Sequence, residues 1–201
     1  MPGVVKDFSY PFLLLQKWMQ DAKSKYDKLK ITNYNAAILA TVSQEGQPSS
    51  RVILIKEIDN TGLVFFTNLN SKKAQEIQTN NLVSLLFYWE VLKRQVRIEG
   101  YTEPISEDEA NGYFVTRPYL SKVGAWASKQ SEEMKSRSDL EKRVLKYTLK
   151  YKLDVPRPDF WSGFRVIPNY FEFWESINFR LHKRKSYTKR QEGYKEALLY
   201  P

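Results

Sequence analysis

Apolar residues recur at helical spacing near the start of the chain, at Phe12, Leu15, Trp18, Met19 and Ala22, and predict an amphipathic helix over residues 8–29. From residue 36 the period shortens. Runs over 36–42, 51–58 and 63–67 are short and rich in β-branched or aromatic residues, with Glu45-Gly46 and Asn60-Thr61-Gly62 between them as turn signals of antiparallel hairpins. Runs at 82–89 and 95–102 continue the strand pattern. Ser106 with Glu109 three positions on is a capping box, which predicts a helix ending near Thr116, before Pro118. A second helix is expected over 131–152, stopped by Val155-Pro156-Arg157-Pro158, and three further strands over 164–173, 179–187 and 194–199. There is no internal repeat, low-complexity tract or long linker. The pattern predicts a mainly β protein with peripheral helices: one domain over residues 1–201, a β-barrel with residues 1–30 supplying a helix that packs on it.

Composition narrows the chemistry. With 42% hydrophobic and 14% aromatic residues in 201, the chain can bury one substantial core. It has no cysteine and one histidine, which excludes disulfides and thiolate ligands and makes a zinc or non-haem iron site improbable; metal-free chemistry is expected. Neither an export signal nor a run of about 20 apolar residues is apparent, so a soluble, cytoplasmic protein with no membrane association is expected. A formal charge of +9 predicts anionic partners without distinguishing small phosphates, nucleic acid and a membrane surface.

Several groups of residues could receive such anions. Ser71 looks like a helix N-cap, yet Lys72 and Lys73 follow it, where the positive end of the helix dipole disfavours cations. A bound phosphate would offset them, as would simple solvation. Arg51 and Lys56 bracket the apolar run Val52, Ile53, Leu54 and Ile55, and on one continuous strand would face opposite sides. Tyr113, Arg117 and Ser121 place a phenol, a guanidinium and a hydroxyl at a helix end and the loop beyond, a plausible phosphate clamp. Gln95 and Gln130 could bond a polar ring, and Ser131 could do so or cap the second helix. Arg180 and the single histidine, His182, stand two apart in the segment expected as a strand, and would share one face. For most of these positions, taken singly, solvation, capping or core packing is the simpler reading.

Together, and in this order, the motifs resemble the pyridoxine (pyridoxamine) 5′-phosphate oxidase family. They are Arg51 through Lys56; Phe66-Thr67-Asn68; Ser71-Lys72-Lys73; Arg94-Gln95-Val96; Tyr113-Phe114 with Arg117-Pro118; Gly124-Ala125-Trp126; Gln130-Ser131; Glu172-Phe173-Trp174; and Arg180-Leu181-His182 with Arg184. The resemblance implies a homodimeric FMN-binding split β-barrel that oxidises the phosphorylated B6 vitamers to pyridoxal 5′-phosphate and reduces O2 to hydrogen peroxide. It implies FMN contacts from Arg51, Val52, Ile53, Leu54, Lys56, Phe66, Thr67, Lys72, Lys73, Gln95, Gln130, Ser131, Trp174 and Arg184. Lys56, Tyr113, Arg117 and Ser121 would hold the substrate phosphate, with Arg180 and His182 flanking the pyridine ring. The sequence departs from the family pattern at Lys72, where arginine is usual, at Lys183, and at Ser162 in a Trp-Gly-Gly motif. A related flavin oxidase of another substrate, such as a phenazine precursor, need not keep the phosphate clamp. A nucleic-acid-binding role for the basic run 183–190 lacks any accompanying motif, and a solvated hairpin is the simpler expectation there.

Overall fold

The computed structural model describes residues 4–5, 7–152 and 154–201. In chain order the elements are β1 (Val4–Val5), α1 (Tyr10–Lys28), β2 (Ala36–Val42), β3 (Pro48–Leu54), β4 (Glu57–Asp59), β5 (Gly62–Asn68), α2 (Lys72–Thr79), β6 (Leu82–Trp89), β7 (Arg94–Pro104), α3 (Glu107–Thr116), α4 (Tyr119–Ala127), α5 (Arg137–Tyr151), β8 (Trp161–Glu175), β9 (Lys183–Arg190) and β10 (Gly193–Leu198). All strand pairs are antiparallel, and one sheet runs β1-β10-β9-β8-β7-β6-β2-β3. Residues 1–3, where an export signal would begin, lie outside the described residues. Among the described residues no helix is long and apolar enough to cross a membrane.

The long strand β8 splits the barrel. Along one edge it pairs with β7 from Phe164 to Glu175, whereas its other edge is shared, by β5 over Trp161 to Val166 and by β9 from Tyr170 onward. A bulge lets it bend between the two partners: Glu99 faces Tyr170 while Gly100 faces Pro168, leaving Asn169 unpaired. Gly100 has no substitute here, because a Cβ would stand 2.1 Å from the Ile167 carbonyl oxygen. Gly100→Ala is therefore expected to destabilise the fold by about 1–3 kcal/mol, read as a lower urea midpoint with an unchanged slope. An unshifted midpoint would mean the bulge relaxes freely.

Inside the curl lies a core of Leu39, Ile53, Leu63, Phe65, Leu85, Phe87, Val96, Ile98 and Phe171, all buried. Helix α1 closes one side with Phe12, Leu15 and Ala22; Phe12 meets Phe171 edge-on at 5.1 Å, and Trp18 meets Phe173 at 5.2 Å. The capping box forms as expected, with Ser106 and Glu109 bonding each other's backbone N–H.

Three expected elements come out differently. The run 51–58 is two strands, because the chain turns after Leu54: the Ile55 N–H bonds the Asn35 carbonyl and the Lys56 N–H the Val64 carbonyl. Lys56 therefore is not on the strand of Arg51. The helix expected over 131–152 begins only at Arg137, and a separate helix, α4, precedes it. Pro118 ends α3 but also stands at the N-cap of α4, where its carbonyl accepts from the Ser121 and Lys122 N–H groups. The strand expected over 179–187 starts at Lys183; Asn178–Arg180 form a tight 3-10 turn with Phe179 and Arg180 both at φ 61°. Arg180 and His182 thus do not share a strand face. Positive φ breaks the two-residue alternation on which that expectation rested. The basic run 183–190 is strand β9 of a hairpin with β10, where Lys185 pairs with Glu196 at 3.1 Å.

Candidate functional site

A cavity of about 660 Å³ opens between the β3–β4 turn, β5, α3, α4 and the start of β8. Its lining includes Lys56, Phe66, Thr67, Lys73, Arg117 and Gln130. Val52, Ile53, Leu54, Tyr113 and Ser121 also line it, so most of the residues expected to serve FMN or the substrate phosphate meet in one space. The unexpected α4 explains Ser121: it sits in the first turn of that helix, its N–H bonded to the Pro118 carbonyl at 2.9 Å.

Lys73 is 8% exposed and has no carboxylate partner within salt-bridge distance among the described residues. Its ammonium donates to Ser71 Oγ at 3.0 Å, Thr67 Oγ1 at 3.2 Å and Gln130 Oε1 at 3.3 Å. Burial, and then the charge of Arg51, push its pKa down to about 8, against a smaller upward pull from Glu76. Ser71 does not cap α2 with its hydroxyl, which donates to the Asn68 carbonyl instead. The Lys72 N–H donates to Ser131 Oγ at 3.2 Å, across 59 residues of chain.

The second cation, Arg117, follows the last residue of α3. Its guanidinium carbon lies 4.5 Å from the Trp161 ring centroid and 5.4 Å from that of Phe114, and its Nη1 is buried without a hydrogen-bond partner. Burial lowers its pKa from the usual arginine value. A desolvated guanidinium with an unused donor is a receptor for an oxyanion.

Arg51 is placed otherwise. It turns beneath the sheet, donating to Thr41 and Ser49 at 2.5 Å each and pairing with Glu76 at 3.2 Å. Burial alone would raise the Glu76 carboxyl, but hydrogen bonds from Thr41 and Ser49 and the charge of Arg51 outweigh it and hold its pKa low. Lys72 is exposed and lies 3.8 Å from Glu76, which supplies in part the negative charge that the two lysines called for. The i,i+4 spacing of Lys72 and Glu76 was the signal that could have found this acid.

The remaining expected residues form a separate group. Gln95, Trp174 and Arg184 are directly opposite one another on β7, β8 and β9, and His182 packs on Trp174 at 4.7 Å. Arg184 donates to Glu172 at 2.8 Å and to the Tyr200 carbonyl at 2.8 Å. None of this row, nor Arg180, lines the cavity. Within one chain, then, Arg184 does not join Arg51, Lys72 and Lys73. Trp161, Asn68, Gly124 and Ala125 do line it, although sequence reasoning gave them no role.

A split barrel whose pocket holds cations without acid partners among the described residues defines a class of protein that binds phosphorylated ligands on a β scaffold. The sequence profile of pyridoxamine 5′-phosphate oxidase matches residues 24–151, and that of the pyridoxine 5′-phosphate oxidase C-terminal dimerisation region matches residues 161–201. The chain belongs to the pyridoxamine 5′-phosphate oxidase family. It is 46% identical over 194 residues to a pyridoxine/pyridoxamine 5′-phosphate oxidase of Brucella ovis, covering 95% of this chain and 91% of that one. The corresponding protein of Mesorhizobium japonicum is 45% identical over 193 residues, covering 95% and 92%. Among solved structures, PhzG from Burkholderia lata, in complex with tetrahydrophenazine-1-carboxylic acid, superposes with a TM-score of 0.87 at 31% identity, covering 95% of this chain and 92% of that one. A pyridoxamine 5′-phosphate oxidase-related, FMN-binding protein from Nostoc punctiforme shares the fold, with a TM-score of 0.74 at 17% identity over 92% and 96%.

Proposed function

We propose that this protein oxidises pyridoxine 5′-phosphate and pyridoxamine 5′-phosphate to pyridoxal 5′-phosphate, using FMN and O2, as a cytoplasmic homodimer of one-domain chains. The observation that carries the reading is that buried Lys73 and half-buried Arg117, two cations without carboxylate partners among the described residues, line one cavity. FMN and the substrate each carry a phosphate, and two such cations fit two such groups. Bound FMN would supply two-electron redox chemistry between the substrate C4′ and O2: the two hydrogens lost by the substrate end on hydrogen peroxide, and for the amine substrate water replaces the nitrogen, which leaves as ammonia.

The chain's own part is binding and orientation. Lys73, Thr67 and Gln130 would hold the cofactor phosphate with the start of α2, supported by Lys72, Ser131 and the Arg51–Glu76 pair. Val52, Ile53, Leu54 and Phe66 would give its ring an apolar wall. Lys56, Tyr113, Arg117 and Ser121 would hold the substrate phosphate, so that binding energy far from C4′ fixes the reacting carbon. The row Gln95, Trp174 and Arg184, with Arg180 and His182, would reach the cavity of a second copy; the match of residues 161–201 to a dimerisation region supports that placement.

Purified protein should show flavin absorbance and release peroxide with both phosphorylated vitamers. Peroxide release with tetrahydrophenazine-1-carboxylic acid, the compound bound by the Burkholderia neighbour, and with neither vitamer would favour oxidation of a phenazine precursor instead. Arg180→Ala is expected to lower kcat roughly 10- to 100-fold while flavin absorbance and dimer mass persist, because Arg180 is exposed and its side chain makes no hydrogen bond or ion pair among the described residues. Full activity of that variant would remove Arg180 from the reaction.

A further inference from the structure

We propose that Trp161 is a positioning residue: it holds the Arg117 guanidinium in the cavity as an uncompensated cation, ready for the substrate phosphate. The inference rests on the function proposed above and extends it to a residue for which the sequence suggested no role. Arg117 makes no ion pair among the described residues, unlike Arg51, Arg97, Arg157, Arg165 and Arg184, each of which is matched by an acid. Aromatic faces hold it instead. Trp161 is 6% exposed and its ring centroid lies 4.5 Å from the guanidinium carbon, while Phe114 packs edge-on against Trp161 at 5.0 Å and lies 5.4 Å from the same guanidinium carbon. The indole is itself fixed. It lies parallel to Phe66 at 5.4 Å and to Tyr113 at 6.3 Å, and those two rings stack at 3.9 Å. Its backbone is tied at both ends, the N–H to the Pro158 carbonyl at 2.9 Å and the carbonyl to Arg157 at 2.6 Å.

The chemistry of the two ways of holding an arginine differs. A carboxylate partner fixes a guanidinium but cancels its charge and occupies its fork, whereas an aromatic face attracts the cation through the ring quadrupole and leaves the N–H edges free. Placing Trp161 beneath Arg117 therefore keeps the full positive charge and the unused Nη1 for an incoming oxyanion.

The test uses the FMN-loaded protein and its Trp161→Leu, Trp161→Phe, Arg117→Ala and Trp161→Leu/Arg117→Ala variants. Trp161→Leu should raise KM for pyridoxine 5′-phosphate roughly 3- to 30-fold with kcat within about twofold and flavin absorbance retained; Trp161→Phe should recover part of the loss. In the Arg117→Ala background the Trp161 change should add little, since the partner through which it acts is gone. An unchanged KM in Trp161→Leu, or equal effects with and without Arg117, would overturn the proposal. If Trp161→Leu does not fold, the same comparison is made with Trp161→Phe. Equilibrium dialysis with phenyl phosphate gives a readout free of turnover: weaker binding by the Trp161 and Arg117 single variants would support the arrangement even if neither vitamer proved a substrate, and unaltered binding would overturn it.

Discussion

Arg117→Ala is expected to weaken capture of pyridoxine 5′-phosphate by about 1.5–3 kcal/mol, a roughly 10- to 150-fold rise in KM, with FMN still bound. The size follows from the state of the side chain. Its guanidinium is half-buried, its Nη1 is shielded from water and has no hydrogen-bond partner among the described residues, and no acid there pairs with it, so an arriving phosphate meets a partly desolvated charge whose donor is free. For the same reason Arg117 stabilises the ligand-free fold little; Arg117→Met, which keeps the volume of the stem, should leave the melting temperature level or higher. Steady-state kinetics and thermal melts on the two variants check both halves. Loss of flavin absorbance with unaltered KM would show that Arg117 serves the cofactor.

The second large effect concerns Lys73 and pH. Its folded pKa of about 8 lies below the ordinary lysine value of 10.5, because burial and Arg51 disfavour the ammonium. A phosphate needs that ammonium, while the phosphate itself is already dianionic above about pH 7. FMN affinity should therefore fall as pH rises through about 8, by roughly 30-fold between pH 7 and pH 9.5 if only the charged form binds. Folding stability should move the other way. Between the folded value and the unfolded one the unfolded chain binds the extra proton, so this group's contribution makes the ligand-free protein more stable as pH rises across that window. Lys73→Arg, which stays charged throughout, should flatten the binding profile. Titrations of apoprotein with FMN across this range decide the matter, and a flat profile in the parent would exclude Lys73 from the phosphate site.

Both predictions depend on residues whose type was readable in the sequence and whose state was not. That Lys73 follows a helix start was visible; that its amine folds back among Thr67, Ser71 and Gln130, with no carboxylate in salt-bridge reach among the described residues, required β5, α2 and the segment after α4 to be in place. Trp161 shows the limit more sharply. In the sequence it opens the Trp-Gly-Gly motif that Ser162 interrupts, just before an expected strand, with no role assigned to its ring. Only the junction of α3, β5 and β8 puts it under Arg117.

By itself the sequence determined the local elements wherever one signal dominated: strands β2 and β6 to the residue, the capping box of α3, the strand alternation, and the set of polar and cationic residues that marks the family. These are short-range properties, set by side-chain period and by hydrogen bonds within three or four residues. The tertiary structure decided what depends on approach between distant segments. Long-range hydrogen bonds at Ile55 and Lys56 cut one apolar run into two strands, and Pro118, read as a stop, became the start of α4. Paired positive-φ residues took Arg180 out of a strand, and the bulge at Gly100 let β8 serve two partners. It also separated Gln95, Trp174 and Arg184 from the cavity that gathers Lys73 and Arg117. Charge and burial are properties of neighbourhoods, and a neighbourhood exists only once the barrel has closed.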